Sequence, residues 1–330
     1  MSKTLDTPLN VAEPVDRTPP GPRPRKRSWT YAIRRDWQLY SLAILPLLFF
    51  LIFRYLPMLG NVIAFRRYRP GSDSLFERIF GESWVGLRYV RLFLADDTFW
   101  TVFTNTVIMG TLTLLFCFPL PIMLALLLNE VRVRSLKRFV QSVSYLPHFL
   151  SIVIVAAMVM QFLSLDGTVN QIVKGLGGQG ISFLQQAEWF RTIYVSSEAW
   201  QTVGWGTILY LAALTTIDED LYEAARIDGA NRWRQTWHVT LPGIRPTMVT
   251  LLILNIGMFM AVGFEKILLL YNPLTYPTAD VISTYLFRMG VVSSNFSYAA
   301  AIGLFEAIIG LTLVLSANAI AKRTVGASLW

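Results

Sequence analysis

Charge is scarce in this sequence. Of 330 residues only 15% are Asp, Glu, Lys or Arg, while 54% are hydrophobic and the mean hydropathy is +0.47. A water-soluble domain carries about 25% charged residues, so most of a solvated outer surface is missing. Cysteine occurs once, at Cys117 in an apolar run, which excludes an intrachain disulfide and a thiolate metal site. The two histidines, His148 and His238, stand far apart and in no metal-ligand spacing. No lysine completes G-x-x-x-x-G-K-[ST], and neither H-E-x-x-H nor G-x-S-x-G occurs, so a phosphate-binding loop and the common hydrolytic sites are absent. Nothing resembles an Arg/aromatic nucleic-acid motif, so the formal charge of +8 reads as basic loops that set topology and touch anionic membrane lipid.

What the chain does have is long apolar runs. No charge occurs from Thr101 to Leu128, and a bilayer span needs roughly 17–25 apolar residues. The pattern predicts an all-α polytopic membrane protein with six transmembrane helices, at 39–58, 102–128, 143–164, 197–214, 247–270 and 299–320. Before them, residues 1–28 hold six of the sixteen prolines and end in Arg25-Lys26-Arg27, the composition of a disordered basic tail. Trp29, Ile33, Trp37 and Tyr40 share one helical face, which predicts an interfacial helix over 29–38 or an extended first span. A six-span permease domain over 39–322 and a short tail at 323–330 complete the chain. Six spans place both termini on one side, with eighteen of the Lys and Arg residues there and ten on the other. The positive-inside rule then puts both termini in the cytoplasm.

The cytoplasmic loop 215–246 is the most informative stretch. Thr216 and Glu219 fit a capping box, and Asp218, Glu219 and Asp220 suit the positive end of a helix dipole. Gly229 suits the left-handed residue that stops a helix, and Ala224 and Ala225 leave a low face for another protein. Pro242 re-aims the chain at the next span. Glu223-Ala224-Ala225, three residues, Gly229, nine residues, then Val239-x-Leu241-Pro242 resembles the EAA loop of ATP-binding-cassette importer permeases, with Val239 where the family usually has Ile. Tyr145-Leu146-Pro147-His148-Phe149, Asp228-Gly229-Ala230 and Asp280-Val281-Ile282-Ser283-Thr284-Tyr285 are similar to carbohydrate-importing members, most of all those handling oligosaccharides.

The resemblance covers about residues 40–322 and implies the importer-permease fold in the bacterial inner membrane. It implies a coupling helix that sits in a groove of an ATPase subunit, with Glu223, Ala224, Ala225, Asp228, Gly229, Leu241 and Pro242 as the coupling residues. It further implies a second related permease, two ATPase subunits that bind ATP and Mg, and an extracytoplasmic binding protein that delivers oligosaccharide. No cofactor and no catalysis are expected on this chain itself.

Ionisable groups inside spans are functional candidates because hydrocarbon penalises charge. Glu265 and Lys266 lie near the outer end of the fifth span, and Glu306 interrupts the sixth. At about 1.5 Å per residue, Lys266 and Glu306 sit roughly 6 and 10 Å from the outer ends of antiparallel spans. Either they pair, or Glu265 and Lys266 snorkel to the interface. Asn105, Gln161 and Asn255 read as interhelical hydrogen-bond partners. An ion-driven secondary transporter would show internal repeats and several intramembrane carboxylates, which are not evident. A non-transporting assembly protein leaves the coupling-like loop unexplained.

Overall fold

The computed structural model describes residues 35–68, 84–324 and 326. The expected tail at 1–28, most of the interfacial segment at 29–38 and five of the eight residues of 323–330 lie outside the described residues. Those described are helical, apart from turns and one isolated bridge between Arg66 and Trp84.

The chain divides into two compact units, Met1–Leu59 and Gly60–Trp330. In the first, helix α1 (Trp37–Phe50) continues through a π turn (Leu51–Tyr55) into Leu56–Leu59. It starts at Trp37 without a break at 38, so the end of the expected interfacial segment is already span. Pro46 removes one backbone donor inside it. None of its residues is buried, the exposure expected of a helix whose solvent is lipid.

The second unit opens with a 3₁₀ turn (Gly60–Phe65) and a short helix α2 (Arg88–Ala95) that buries Phe93 completely. Then follow α3 (Asp97–Cys117), α4 (Pro119–Glu130), α5 (Arg134–Tyr145), α6 (Ile152–Leu163), α7 (Thr168–Gly175) and α8 (Ala187–Leu214). Beyond these lie α9 (Glu219–Ile227), α10 (Leu241–Gly257), α11 (Phe264–Leu270), α12 (Ile282–Phe287) and α13 (Phe296–Thr324). Five helical runs are long and apolar enough to cross a membrane: Trp37–Phe65, Asp97–Glu130, Ile152–Gly175, Arg232–Gly257 and Phe296–Thr324. Helix α8 has 28 residues but carries Glu188, Arg191 and Glu198.

Three expected spans differ from what is observed, each for a physical reason. The third is not one helix from 143: α5 ends at Tyr145, a 3₁₀ turn (Leu146–Phe149) follows, and Ser151 caps α6 by accepting from the Ile154 amide. Pro147 supplies no donor, so the α-helical ladder is interrupted there. The fourth begins at Ala187, ten residues before the apolar run suggested, and two of the three charges near its start, Arg191 and Glu198, have partners inside the protein. The fifth breaks between Gly257 and Phe264. Gly263 has φ +40°, and a Cβ on it would lie 1.9 Å from the Tyr194 hydroxyl oxygen, so only glycine fits this bend.

Three apolar clusters hold the second unit together. Met109, Tyr194, Ile267 and Val281 join α3, α8, α11 and the segment before α12. Phe93, Phe99, Met260, Tyr285 and Ile302 join α2, α3, α12 and α13. Near the loop end, Ile122, Ala125, Tyr210, Leu214 and Ile244 join α4, α8 and α10.

Candidate coupling and intramembrane sites

Helix α9 forms where the sequence predicts it, with a different cap. The Asp218 carboxylate accepts from the Asp220 amide at 3.1 Å, while the Thr216 hydroxyl turns back to the Ala213 carbonyl at 2.8 Å. The expected capping box therefore does not form: Thr216 finishes α8, and Asp218 starts α9. Glu219 and Asp220 occupy the first turn and Arg226 the last, as the helix dipole favours. Gly229 has φ +74°, and its amide reaches the Arg226 carbonyl while that of Ala230 reaches the Ala225 carbonyl at 2.8 Å. This is the left-handed stop that the glycine predicts.

One side of α9 is free and the other is anchored. Glu223, Ala224 and Asp228 are exposed, as are Leu221 and Ile227, the latter at 86%. On the anchored side the Tyr222 hydroxyl meets that of Thr240 at 3.1 Å, at the end of the π turn that leads into α10. Leu241 is half-buried at the start of α10, and Pro242 occupies its first turn, where a missing amide costs nothing. Ile217 packs under Gly243, where a Cβ would come within 2.8 Å of it. Arg232 reaches across to Glu130 at the end of α4 at 2.9 Å. Between these walls lies a polar cavity of about 1000 Å³, lined among others by Glu130, Glu219, Glu223, Arg226 and Arg232.

The intramembrane charges are arranged differently from the expected pair. Lys266 is fully buried, and its Nζ donates to Glu198 Oε2 on α8 at 2.6 Å. Lys266 and Glu306 do not pair. The bend at Gly263 starts a new helix, α11, which turns Lys266 toward α8 instead of α13. Glu265 is exposed. Glu306 has no ion-pair partner among the described residues and borders a separate cavity of about 310 Å³ with Gly257, Ala261, Gly303 and Gly310. Glu198 lay inside the expected fourth span, and a carboxylate in an apolar run was the signal that identifies it.

At the ends of the helices away from the 215–246 loop is a second polar network. Asn105 donates to the Pro277 and Asp280 carbonyls and accepts from Arg191 Nη2 at 2.8 Å. It is an interhelical partner as expected; Asn255 instead bonds the Leu251 carbonyl of its own helix. Asp280 receives Arg288 Nη1 at 3.2 Å and Nη2 at 2.5 Å, and accepts from the Thr284 hydroxyl. The Arg288 guanidinium lies 4.8 Å from the Tyr276 ring centre and 5.4 Å from that of Tyr285. The Asp-Val-Ile-Ser-Thr-Tyr stretch thus has a structural task, holding this arginine; no sequence spacing revealed Arg288. At the base of α3, Asp96 accepts from the Thr98 amide at 2.9 Å and from the Tyr285 hydroxyl at 2.8 Å. Partial burial pushes its carboxyl up, but these hydrogen bonds hold it below the ordinary value of 3.8.

Residues 117–326 match the family model for the binding-protein-dependent transport system inner membrane component. The protein LplB of Bacillus subtilis is 46% identical over 297 residues, covering 90% of this chain and 92% of its own. The polygalacturonan/rhamnogalacturonan transport system permease protein YteP of the same organism is 44% identical, over 91% of this chain and 92% of its own. Among solved structures, a chain of a bacterial alginate transporter of the ATP-binding-cassette class, in complex with an alginate pentasaccharide-bound periplasmic protein, superposes with a TM-score of 0.83. It is 41% identical and covers 91% of this chain and 99% of that one.

Proposed function

The chain belongs to the family of binding-protein-dependent transport system inner membrane components, and from that premise we propose that it is one of two permease subunits of an ATP-driven oligosaccharide importer. Both termini face the cytoplasm in this reading, and an extracytoplasmic binding protein loads the path from the other side. The observation that carries the reading is the exposed helix α9: Leu221, Ala224, Ile227 and Asp228 are exposed on one side, Glu223 is exposed at the rim of the polar cavity, Tyr222 ties the helix to the start of α10, and Arg232 just beyond it is tied to the end of α4. A second, related permease completes the path, and two ATPase subunits hold ATP and Mg. Membership of the family leaves the ion-driven carrier and the non-transporting assembly protein without support.

The substrate class follows from the relatives. Polygalacturonan and alginate are both polyuronates, and permeases of systems named for them share more than 40% of their residues with this chain. Uronate-containing oligosaccharides are the proposed cargo.

The chain's own part is mechanical. Exposed Glu223 supplies an acidic contact to the ATPase, with Ala224 and Ala225 permitting close approach and Asp228-Gly229 fixing where the helix ends. When the ATPases close, α9 is displaced. Tyr222–Thr240 and Ile217–Gly243 pass that displacement into α10 through Leu241 and Pro242, and Arg232–Glu130 passes it into α4. Helices α4, α8 and α10 share one apolar cluster, so they move as a body, the rigid-body switching of alternating access.

Glu223→Lys tests the reading. The charge reversal is expected to lower co-purifying ATPase, or the ATPase stimulation by loaded binding protein, at least tenfold, with the permease still in the membrane. Wild-type association and uptake in that variant would refute it. A panel of binding proteins loaded with galacturonate, mannuronate or neutral oligosaccharides reads the cargo class separately.

A further inference from the structure

Glu306 is the charge that the importer reading leaves unused. It is half-buried on α13, and among the described residues no hydrogen bond or ion pair engages its carboxylate, whose oxygens are not fully covered. It stands ten residues beyond Phe296, roughly 15 Å along a helix that crosses a hydrocarbon layer of about 30 Å. That is close to the midplane. A carboxylate at that depth is too costly to leave in lipid, so it faces protein or a wet space.

The space beside it already has a shape. Gly303, Ala307 and Gly310 lie on the Glu306 side of α13 and border the same cavity of about 310 Å³. Opposite stand Gly257, the last residue of α10, and Ala261 in the stretch where the fifth span is unwound. Among the described residues no backbone hydrogen bond reaches the carbonyls of Met260 or Ala261 in that stretch. Unwound backbone at membrane depth persists only where protein covers it or water reaches it. Broken spans also line the substrate sites of many transporters. The walls select the chemistry of an occupant. Among the described residues bordering the cavity, Glu306 has the one polar side chain, and an ionised carboxylate only accepts hydrogen bonds. A metal ion such as calcium would need about six to eight oxygen ligands, which one carboxylate does not provide. A carboxylate on the occupant would be repelled. A neutral group rich in hydroxyls fits, in a cavity at the small end of the usual range of about 300–1,000 Å³ for ligand sites. The glycines let such a group come close to the backbone.

We propose that this cavity takes the hydroxyl-bearing edge of one sugar ring of the cargo, and that Glu306 is the residue that reads it. Resting on the importer reading, the site adds a selectivity to it. A ring that turns a carboxylate toward Glu306 is rejected, so neutral rings of a mixed oligosaccharide are accepted there and a chain of uronates alone is disfavoured. The position also joins recognition to drive. Gly257 ends the helix that Leu241 and Pro242 open, so displacement of the coupling loop moves one wall of the cavity.

The test uses the assembled transporter in vesicles, supplied with cargo on its binding protein. Two cargoes of equal length are compared, one mixing neutral and uronate rings and one of uronates alone. Glu306→Gln is expected to shift the uptake ratio toward the all-uronate cargo by about tenfold relative to the wild type, the worth of one charged hydrogen bond. The same binding protein serves both transporters, so its own preference cancels. An unchanged ratio in a variant that still transports overturns the site, whereas a wild type that imports neither cargo removes the importer reading beneath it. Should Glu306→Gln fail to assemble, Ala307→Cys on a Cys117→Ala background decides. Ala307 is exposed at the cavity. A small water-soluble thiol reagent is expected to label it, and the labelling to be lost once the mixed oligosaccharide has been delivered. A thiol that never reacts lies against lipid or the second permease and overturns the site, as does labelling that cargo leaves unchanged.

Discussion

At the residue scale, the bundle's most demanding interaction is Lys266 with Glu198. A fully buried ammonium is tolerated because one carboxylate lies 2.6 Å away. Removing one member of such a pair strands the other without its counter-charge, at a cost of about 3–5 kcal/mol, whereas replacing both with apolar residues is far milder. Glu198→Gln is accordingly expected to lower the thermal midpoint of the purified transporter by several degrees, and Lys266→Met with Glu198→Leu to recover much of the loss. Additive losses in the double variant would show that the two do not act as a pair. Asp96 sets a second test. Its carboxyl is held below the ordinary value in the folded protein, so its stabilising contribution is complete above the unfolded-state value near 4 and is lost as pH falls through the lower, folded-state one. Asp96→Asn keeps a cap for the Thr98 amide but cannot titrate, so its acid-unfolding curve should be flatter than the wild type's at pH below 4; coincident curves would exclude the role. Asp96 and Glu198 share one lesson. Each was visible as a carboxylate, but a partner 189 or 68 positions away in the chain leaves no local pattern to read.

At the scale of elements, apolar runs found the spans, and caps and breakers decided their ends. The α9 loop was legible because its signals are local: acidic residues in the first turn, a glycine at the stop and a proline opening the next helix. Helix α8 was read ten residues short because hydropathy treats Glu188, Arg191 and Glu198 as solvated, although Asn105 and Lys266 engage two of them. Gly257 and Gly263 mark a flexible or closely packed stretch of the fifth span, but the residues between them are as apolar as the helices on either side, so hydropathy did not show that the helix stops there. Its geometry makes a sharp prediction. Gly263→Ala combines a left-handed backbone, costing roughly 1–2 kcal/mol for an L-residue, with a Cβ 1.9 Å from the Tyr194 oxygen. Transport and assembled yield are expected to fall severely. Adding Tyr194→Phe should not rescue them, because ring carbons of Tyr194 remain within 2.6 Å of the new methyl. Full rescue would place the constraint in the hydroxyl alone.

For the whole molecule, function requires that the coupling loop and the loop before α8 stand on opposite faces of the membrane. Helix α8 has 28 residues and spans about 42 Å, more than the hydrocarbon thickness, so its two ends cannot share a face if it crosses. Leu176, exposed at 84% beyond α7, and Ile227, exposed at 86% at the end of α9, make suitable reporters. Cys117 is the one native thiol and is half-buried, so Cys117→Ala gives a clean background. In intact cells a membrane-impermeant maleimide is expected to label Leu176→Cys directly and Ile227→Cys only after permeabilisation. In the assembled complex Ile227→Cys is expected to be protected further, as the proposed ATPase contact on α9 requires. Labelling of Ile227→Cys from outside intact cells would reverse the orientation. A position that stays equally reactive with and without ATPase subunits would remove α9 from the path by which nucleotide energy reaches α10.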